Sequence, residues 1–165
     1  PFSLVMSWYK RGLGYRYGKD YRMFTLLIKK YKKFLPWYDV VSNTNKSAAN
    51  DLEKCINYVH FLTKKSVENY QKLEKKNKKK ILITSYERIV ENTDGELKII
   101  SNFLNTKLSI HTNSFVKKEK CPKKIDREKI DYYRSYIKTK VKKNIFERLV
   151  SLEKEFNNSI YGLTK

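Results

Sequence analysis

Residues Ile81-Leu82-Ile83-Thr84 break the pattern of everything around them. The run is β-branched and apolar, long enough for a buried strand and too short for an independent helix. It leaves a solvated entry, Lys75 to Lys80, and leads into Tyr86-Glu87, where the carboxyl end of the strand would lie. In open α/β sheets, ligands bind outside those carboxyl ends. Thr93-Asp94-Gly95-Glu96 then has capping-box form, with Thr93 as N-cap and Glu96 three residues further on. Leu97, Ile100 and Leu104, widened by Ile99 and Phe103, give the next helix one face to bury. The order predicts a strand–loop–helix unit of an α/β protein.

The rest of the chain reads as helices. Five Gly and three Pro in 165 residues argue against a loop-rich β fold. Phe2, Leu4, Val5, Trp8 and Tyr9 line a first helix from near Ser3, followed by a loop holding Gly12, Gly14 and Gly18. Asp20 caps a second helix to about Phe34, with Met23, Leu26, Leu27 and Tyr31 at helical spacing and Leu35-Pro36-Trp37-Tyr38 as its stop. Ser47 or Asn50 caps a long helix whose stripe is Leu52, Cys55, Ile56, Val59, Leu62, Tyr70 and Leu73. From Asn105 to Lys124 no period is clear. Asp126 then caps one long last helix, on which Ile130, Tyr133, Ile137, Val141, Ile145, Leu149, Leu152 and Phe156 keep one face apolar until Asn157-Asn158. Neither an internal repeat nor a second domain is visible, so residues 1–165 read as one domain.

The net charge of +20 admits polyanionic partners. The excess is carried by Lys, with only seven Arg, and it travels with many Asn, Ile and Tyr. That favours lysines spread over solvated faces, since Arg is the better residue for bidentate phosphate contacts. A basic helical nucleic-acid-binding domain without enzymatic activity remains the alternative function. Cys55 and Cys121 fit neither a disulfide framework nor a zinc site, so no metal is expected. No apolar run approaches the ~20 residues of a membrane-spanning helix.

Two stretches carry a family resemblance. Tyr86-Glu-Arg-Ile-Val-Glu-Asn-Thr with Glu96-Leu-Lys-Ile-Ile-Ser-Asn-Phe-Leu104 resembles the Tyr-Glu block of sulfotransferases. Pro1-Phe2-Ser3-Leu4-Val5-Met6-Ser7 looks like the tail of that family's Arg-x-Pro…Ser motif, its Arg falling two residues before Pro1. The resemblance implies a transferase that uses 3′-phosphoadenosine 5′-phosphosulfate (PAPS) as donor cosubstrate, with a P-loop-like parallel-sheet α/β fold. Residues 1–165 would be its carboxyl-terminal, predominantly helical portion, a single partial domain that is inactive alone. The reaction would move a sulfuryl group to an acceptor hydroxyl or amine on a small molecule or glycan.

By the same resemblance, Ser7 would hold the 3′-phosphate. Tyr86, Ser114 and Phe115 would contact the adenine side of the donor, and Lys117 and Lys118 would stand in for a basic loop that the cytosolic members carry and this chain lacks. Phe115 reads equally as the anchor of an irregular loop. No Gly-x-x-x-x-Gly-Lys-[Ser/Thr] occurs, so the 5′-phosphosulfate loop and the catalytic base are expected upstream. His60 and His111 read as ordinary histidines. Trp8, Tyr9, Tyr15, Tyr17, Tyr21, Trp37 and Tyr38 suit either an acceptor pocket or, preferably, packing between helices. No specific nucleic acid is expected as a partner.

Overall fold

A computed structural model describes residues 1–13, 26–30, 32–42 and 48–155. Helix α1 (Phe2–Lys10) is followed by an antiparallel hairpin, β1 (Leu27–Lys30) and β2 (Lys33–Pro36), and by α2 (Trp37–Ser42). Then come α3 (Asp51–Gln71), α4 (Lys75–Lys78), α5 (Tyr86–Glu91), α6 (Thr93–Phe103), α7 (Thr112–Lys118), α8 (Arg127–Lys140) and α9 (Lys143–Glu155). The described chain is mostly helical, with one two-stranded sheet.

The core is made by four of these helices. Phe2, Val5 and Met6 of α1 meet Leu52, Cys55, Ile56 and Val59 of α3, Tyr133 and Ile137 of α8, and Ile145, Leu149 and Leu152 of α9. Each set repeats at three or four residues, so each helix turns one stripe inward. Of the two expected caps, Ser47 and Asn50, it is Asn50 that starts α3, its side chain accepting from the Glu53 amide at 2.9 Å.

The last helix is two helices. Val141 is extended, and α8 and α9 meet there. The sequence held the reason: Tyr133, Ile137, Val141, Ile145 and Leu149 are spaced by four every time. At about 100° per residue, four such steps carry the stripe about 160° round a straight helix. The break resets the phase, and both halves face the same core. Glu53 stabilises it. This carboxylate is 1% exposed. It accepts from the Ala49 amide at 2.7 Å and from the Lys142 amide, across the break, at 3.0 Å. The Asn50 side chain donates to the Lys140 carbonyl at 3.1 Å.

Three other expectations change. Leu27–Pro36 is a hairpin rather than the end of a helix, pairing Ile28 with Leu35 and Lys30 with Lys33. Lys32 takes the positive φ of 62° that its tight turn requires, and the Trp37 amide closes the ladder on the Leu26 carbonyl at 2.8 Å. Asp20, Met23 and Tyr31 lie outside the described residues. Ile81–Thr84 is not a strand. A strand exists only where another pairs with it, and no described segment does so. In α6 the N-cap is Asn92, and Thr93 instead donates to the Ile89 carbonyl at 2.7 Å. The residues α6 buries are Thr93, Glu96 and Ser101, while Ile99, Phe103 and Leu104 are exposed. α6 packs on α5, and of its expected apolar stripe Leu97 and Ile100 are half-buried.

Burial raises the Glu53 pKa, but the amide bonds from Ala49 and Lys142, with the Lys142 charge, outweigh it and leave it below the ordinary 4.5. The folded state therefore takes up this proton later than the unfolded chain as pH falls. The resulting stabilisation is full above 4.5 and disappears as pH drops through the folded value. Glu53→Ala orphans two amides and should cost about 2–3 kcal/mol in urea melts at neutral pH. Glu53→Gln should cost less and flatten the acid limb of stability against pH.

Candidate functional site

The stretch from Thr84 to Glu96 is organised by one buried carboxylate. Glu96 is 2% exposed. Its Oε2 accepts from the Thr84 hydroxyl at 2.6 Å. Its Oε1 accepts from Arg88 Nε at 2.8 Å and pairs with the Arg88 terminal nitrogen at 2.6 Å. A buried carboxylate persists only when its oxygens are paired, and here both are. Ser85, in extended conformation, caps α5 by accepting from the Arg88 amide at 3.1 Å. The network fixes the entry to α5 and sets Tyr86 as its first residue, with 62% of that residue in solvent.

Gly95 shows how closely this turn is packed. A Cβ there would lie 2.4 Å from the Asn92 side-chain nitrogen, so any larger residue must displace Asn92.

The chain after α7 returns to this unit. The Lys123 amide donates to the Val90 carbonyl at 2.8 Å, and the Ile125 amide to Glu91 Oε1 at 3.3 Å. α7 itself replaces the irregular loop expected around His111. Ser114 turns its hydroxyl back to the His111 carbonyl at 2.7 Å, while Phe115 is 63% exposed. Phe115 is thus no core anchor. Lys117 and Lys118 are exposed in the last turn of α7, where cations complement the helix dipole.

Tyr86, Ser114, Phe115, Lys117 and Lys118 therefore belong to one stretch tied by the 121–125 segment to α5. Ser7 stands apart from those ties, half-buried on α1, whose partners are α3 and α8. It is the sixth residue of that helix, not at its start, so the dipole field of the first turn does not reach it.

The aromatic set divides. Tyr38 and Tyr58 are buried, with ring centroids 4.8 Å apart, and Trp8 lies 5.4 Å from Tyr38. The Tyr58 hydroxyl donates to Asp39 at 3.2 Å. Packing of α1 and α2 on α3 accounts for these rings. Tyr15, Tyr17 and Tyr21 lie outside the described residues. His60 sits on α3, its pKa lowered by burial and then by the Lys64 and Arg148 charges, against the opposing pull of Glu155.

Sequence reasoning missed Arg88, Thr84 and the real task of Glu96. A signal was present, because in a chain that carries its charge on Lys an isolated Arg points to a multi-contact carboxylate partner. Arg134, which contacts both Glu153 oxygens at 3.0 and 2.7 Å, follows the same logic.

Arg88→Ala should leave the Glu96 charge buried and destabilise by about 2–3 kcal/mol. That is less than for a fully interior pair, because about a third of Arg88 is in water. Glu96→Gln should cost less than Arg88→Ala, since the freed guanidinium can hydrate. Urea midpoints of the two variants check the order.

A family model described as the sulfotransferase domain matches residues 42–159. No curated protein and no solved structure gives a match to the chain.

Proposed function

The chain belongs to the sulfotransferase family, and from that premise we propose that it forms part of an enzyme that uses PAPS as sulfuryl donor. In this reading residues 1–165 are one partial domain, the carboxyl-terminal portion of a P-loop-like α/β fold. They hold the adenine and 3′-phosphate side of the donor and are inactive alone. The observation that carries the donor site is that Tyr86 and Phe115, the two most exposed aromatic residues of this unit, are left largely in solvent. An adenine needs flat apolar faces, and aromatic rings supply them at low entropic cost. Ser114, Lys117 and Lys118 add a hydroxyl and two cations beside Phe115. Ser7 meets the 3′-phosphate through its hydroxyl alone, without help from the helix dipole.

The acceptor oxygen or nitrogen forms its bond to sulfur as the bond from sulfur to the donor's 5′-phosphate oxygen breaks. That oxygen keeps the electron pair in 3′-phosphoadenosine 5′-phosphate. The acceptor's proton goes to a base outside the residues assigned here. Positioning and charge stabilisation do the catalytic work, as in phosphoryl transfer.

Calorimetry on the full-length protein tests the donor reading. The 3′,5′-bisphosphate should bind about tenfold to a hundredfold tighter than AMP, the value of a charge-assisted phosphate contact. Ser7→Ala should shrink that preference, whereas Phe115→Ala should weaken both nucleotides alike. Equal affinities for the two nucleotides would remove the 3′-phosphate site. A nucleic-acid binder would instead show affinity that follows polymer length and salt.

A further inference from the structure

Helix α8 carries a row of tyrosines that the core uses only in part. Tyr132 and Tyr136 have ring centroids 6.3 Å apart and tilted by 31°, and the Tyr132 ring lies 5.9 Å from that of Tyr133. Tyr133 is buried, but Tyr132 is 62% exposed. α1 brings two more groups to the row. Tyr9 packs, like Tyr136, partly buried against the core. Lys10 Nζ donates to the Tyr133 hydroxyl at 3.1 Å and stands 4.8 Å from the centre of its ring.

On α8 itself, Lys129 lies three residues before Tyr132 and Lys140 four residues after Tyr136, so both share this face, and both are exposed. Glu128, four residues before Tyr132, is the carboxylate at its start. The two lysines are about 16 Å apart along the helix axis. That span suits a short oligomer rather than a single sugar.

An exposed ring with a hydroxyl handle offers an apolar plane and a hydrogen bond at once. Cations at both ends of such a row complement anions spaced along a flexible chain. We propose that the Lys129–Tyr132–Tyr136–Lys140 face, with Lys10 beside it, binds an acidic oligosaccharide. The rings stack on the apolar faces of the sugars, and the lysines pair with carboxylate or sulfate groups. The proposal rests on the sulfotransferase reading. Sulfuryl transfer to a glycan hydroxyl leaves an anionic ester, so a polymeric acceptor grows more acidic with each turnover and a basic, ring-lined face continues to hold it.

The test is calorimetry on the full-length protein with a heparin-derived hexasaccharide, neutral cellohexaose and an oligodeoxythymidylate of matched charge. The acidic hexasaccharide should bind best. Tyr132→Ala should weaken it about tenfold, the loss expected for one stacked ring, while Tyr132→Phe should retain it. Lys129→Glu should lower both affinity and salt dependence, and Lys76→Ala, on α4, should change little. Wild-type affinity in Tyr132→Ala would overturn the proposal, since charge alone would then hold the ligand. So would an oligodeoxythymidylate that binds more tightly through Tyr132. Titrating 3′-phosphoadenosine 5′-phosphate in parallel separates the two readings. Hexasaccharide binding through Tyr132 without nucleotide binding overturns the donor site and supports this face. Nucleotide binding with no effect of Tyr132→Ala on the hexasaccharide overturns this face alone.

Discussion

The Glu53 carboxylate is the contact on which the core's geometry depends. One oxygen takes the amide of Ala49 just before α3, and the other takes the amide of Lys142 between α8 and α9. Without an acceptor at that point, the break in the last helical segment would leave a donor unsatisfied against the core. With it, α9 presents its stripe to α3 and α8 presents its stripe to α1, whose Phe2, Val5 and Met6 complete the core. A single charged side chain thereby permits a bend that apolar packing could exploit but not create.

The unit from Thr84 to Lys118 follows a different principle. Its hub is polar, with Glu96 held by Arg88 and Thr84, and its attachments run through backbone amides at Lys123 and Ile125. Its apolar side chains divide: Val90 is buried, while Ile99, Phe103, Leu104 and Phe115 are exposed. A hub of short charge-assisted hydrogen bonds fixes orientation more sharply than area burial does, because it is directional. The segment's exposed aromatic residues are Tyr86, Phe103 and Phe115.

Much of this was legible beforehand, and the failures have physical causes. Most of the inward stripes of α1, α3, α8 and α9, and Asn50 as one of two cap candidates, follow from helical spacing and one polar side chain, although Leu4 is exposed and Met6 is buried in its stead. The Tyr86 block pointed to the family that the domain match then supported. The hairpin at Leu27–Pro36 was hidden because Met23, Leu26, Leu27 and Tyr31 satisfy a helical period, while Leu26-Leu27-Ile28-Lys29-Lys30 lacks the alternation that marks a strand. Ile81–Thr84 has strand composition, yet pairing is a property of two segments and cannot be read from one. Thr93 and Glu96 have capping-box spacing, but Arg88 offers Glu96 a stronger partner than a backbone amide. The α8–α9 break was readable from consecutive steps of four, which a count of apolar positions overlooks.

The Glu53–Lys142 bond spans 89 positions of sequence. A nascent chain grows at about 5–20 residues per second, so roughly 4–18 s separate the synthesis of its two ends. A helix such as α3 forms in about a microsecond or less. For all that interval α3 can be helical and packed on α1 while its carboxylate has only the Ala49 amide, and the side of its stripe that meets α9 waits. The same clamp that orders the finished core makes its assembly late, with that side of the stripe open to chaperones or to neighbouring chains until residues 143–155 arrive.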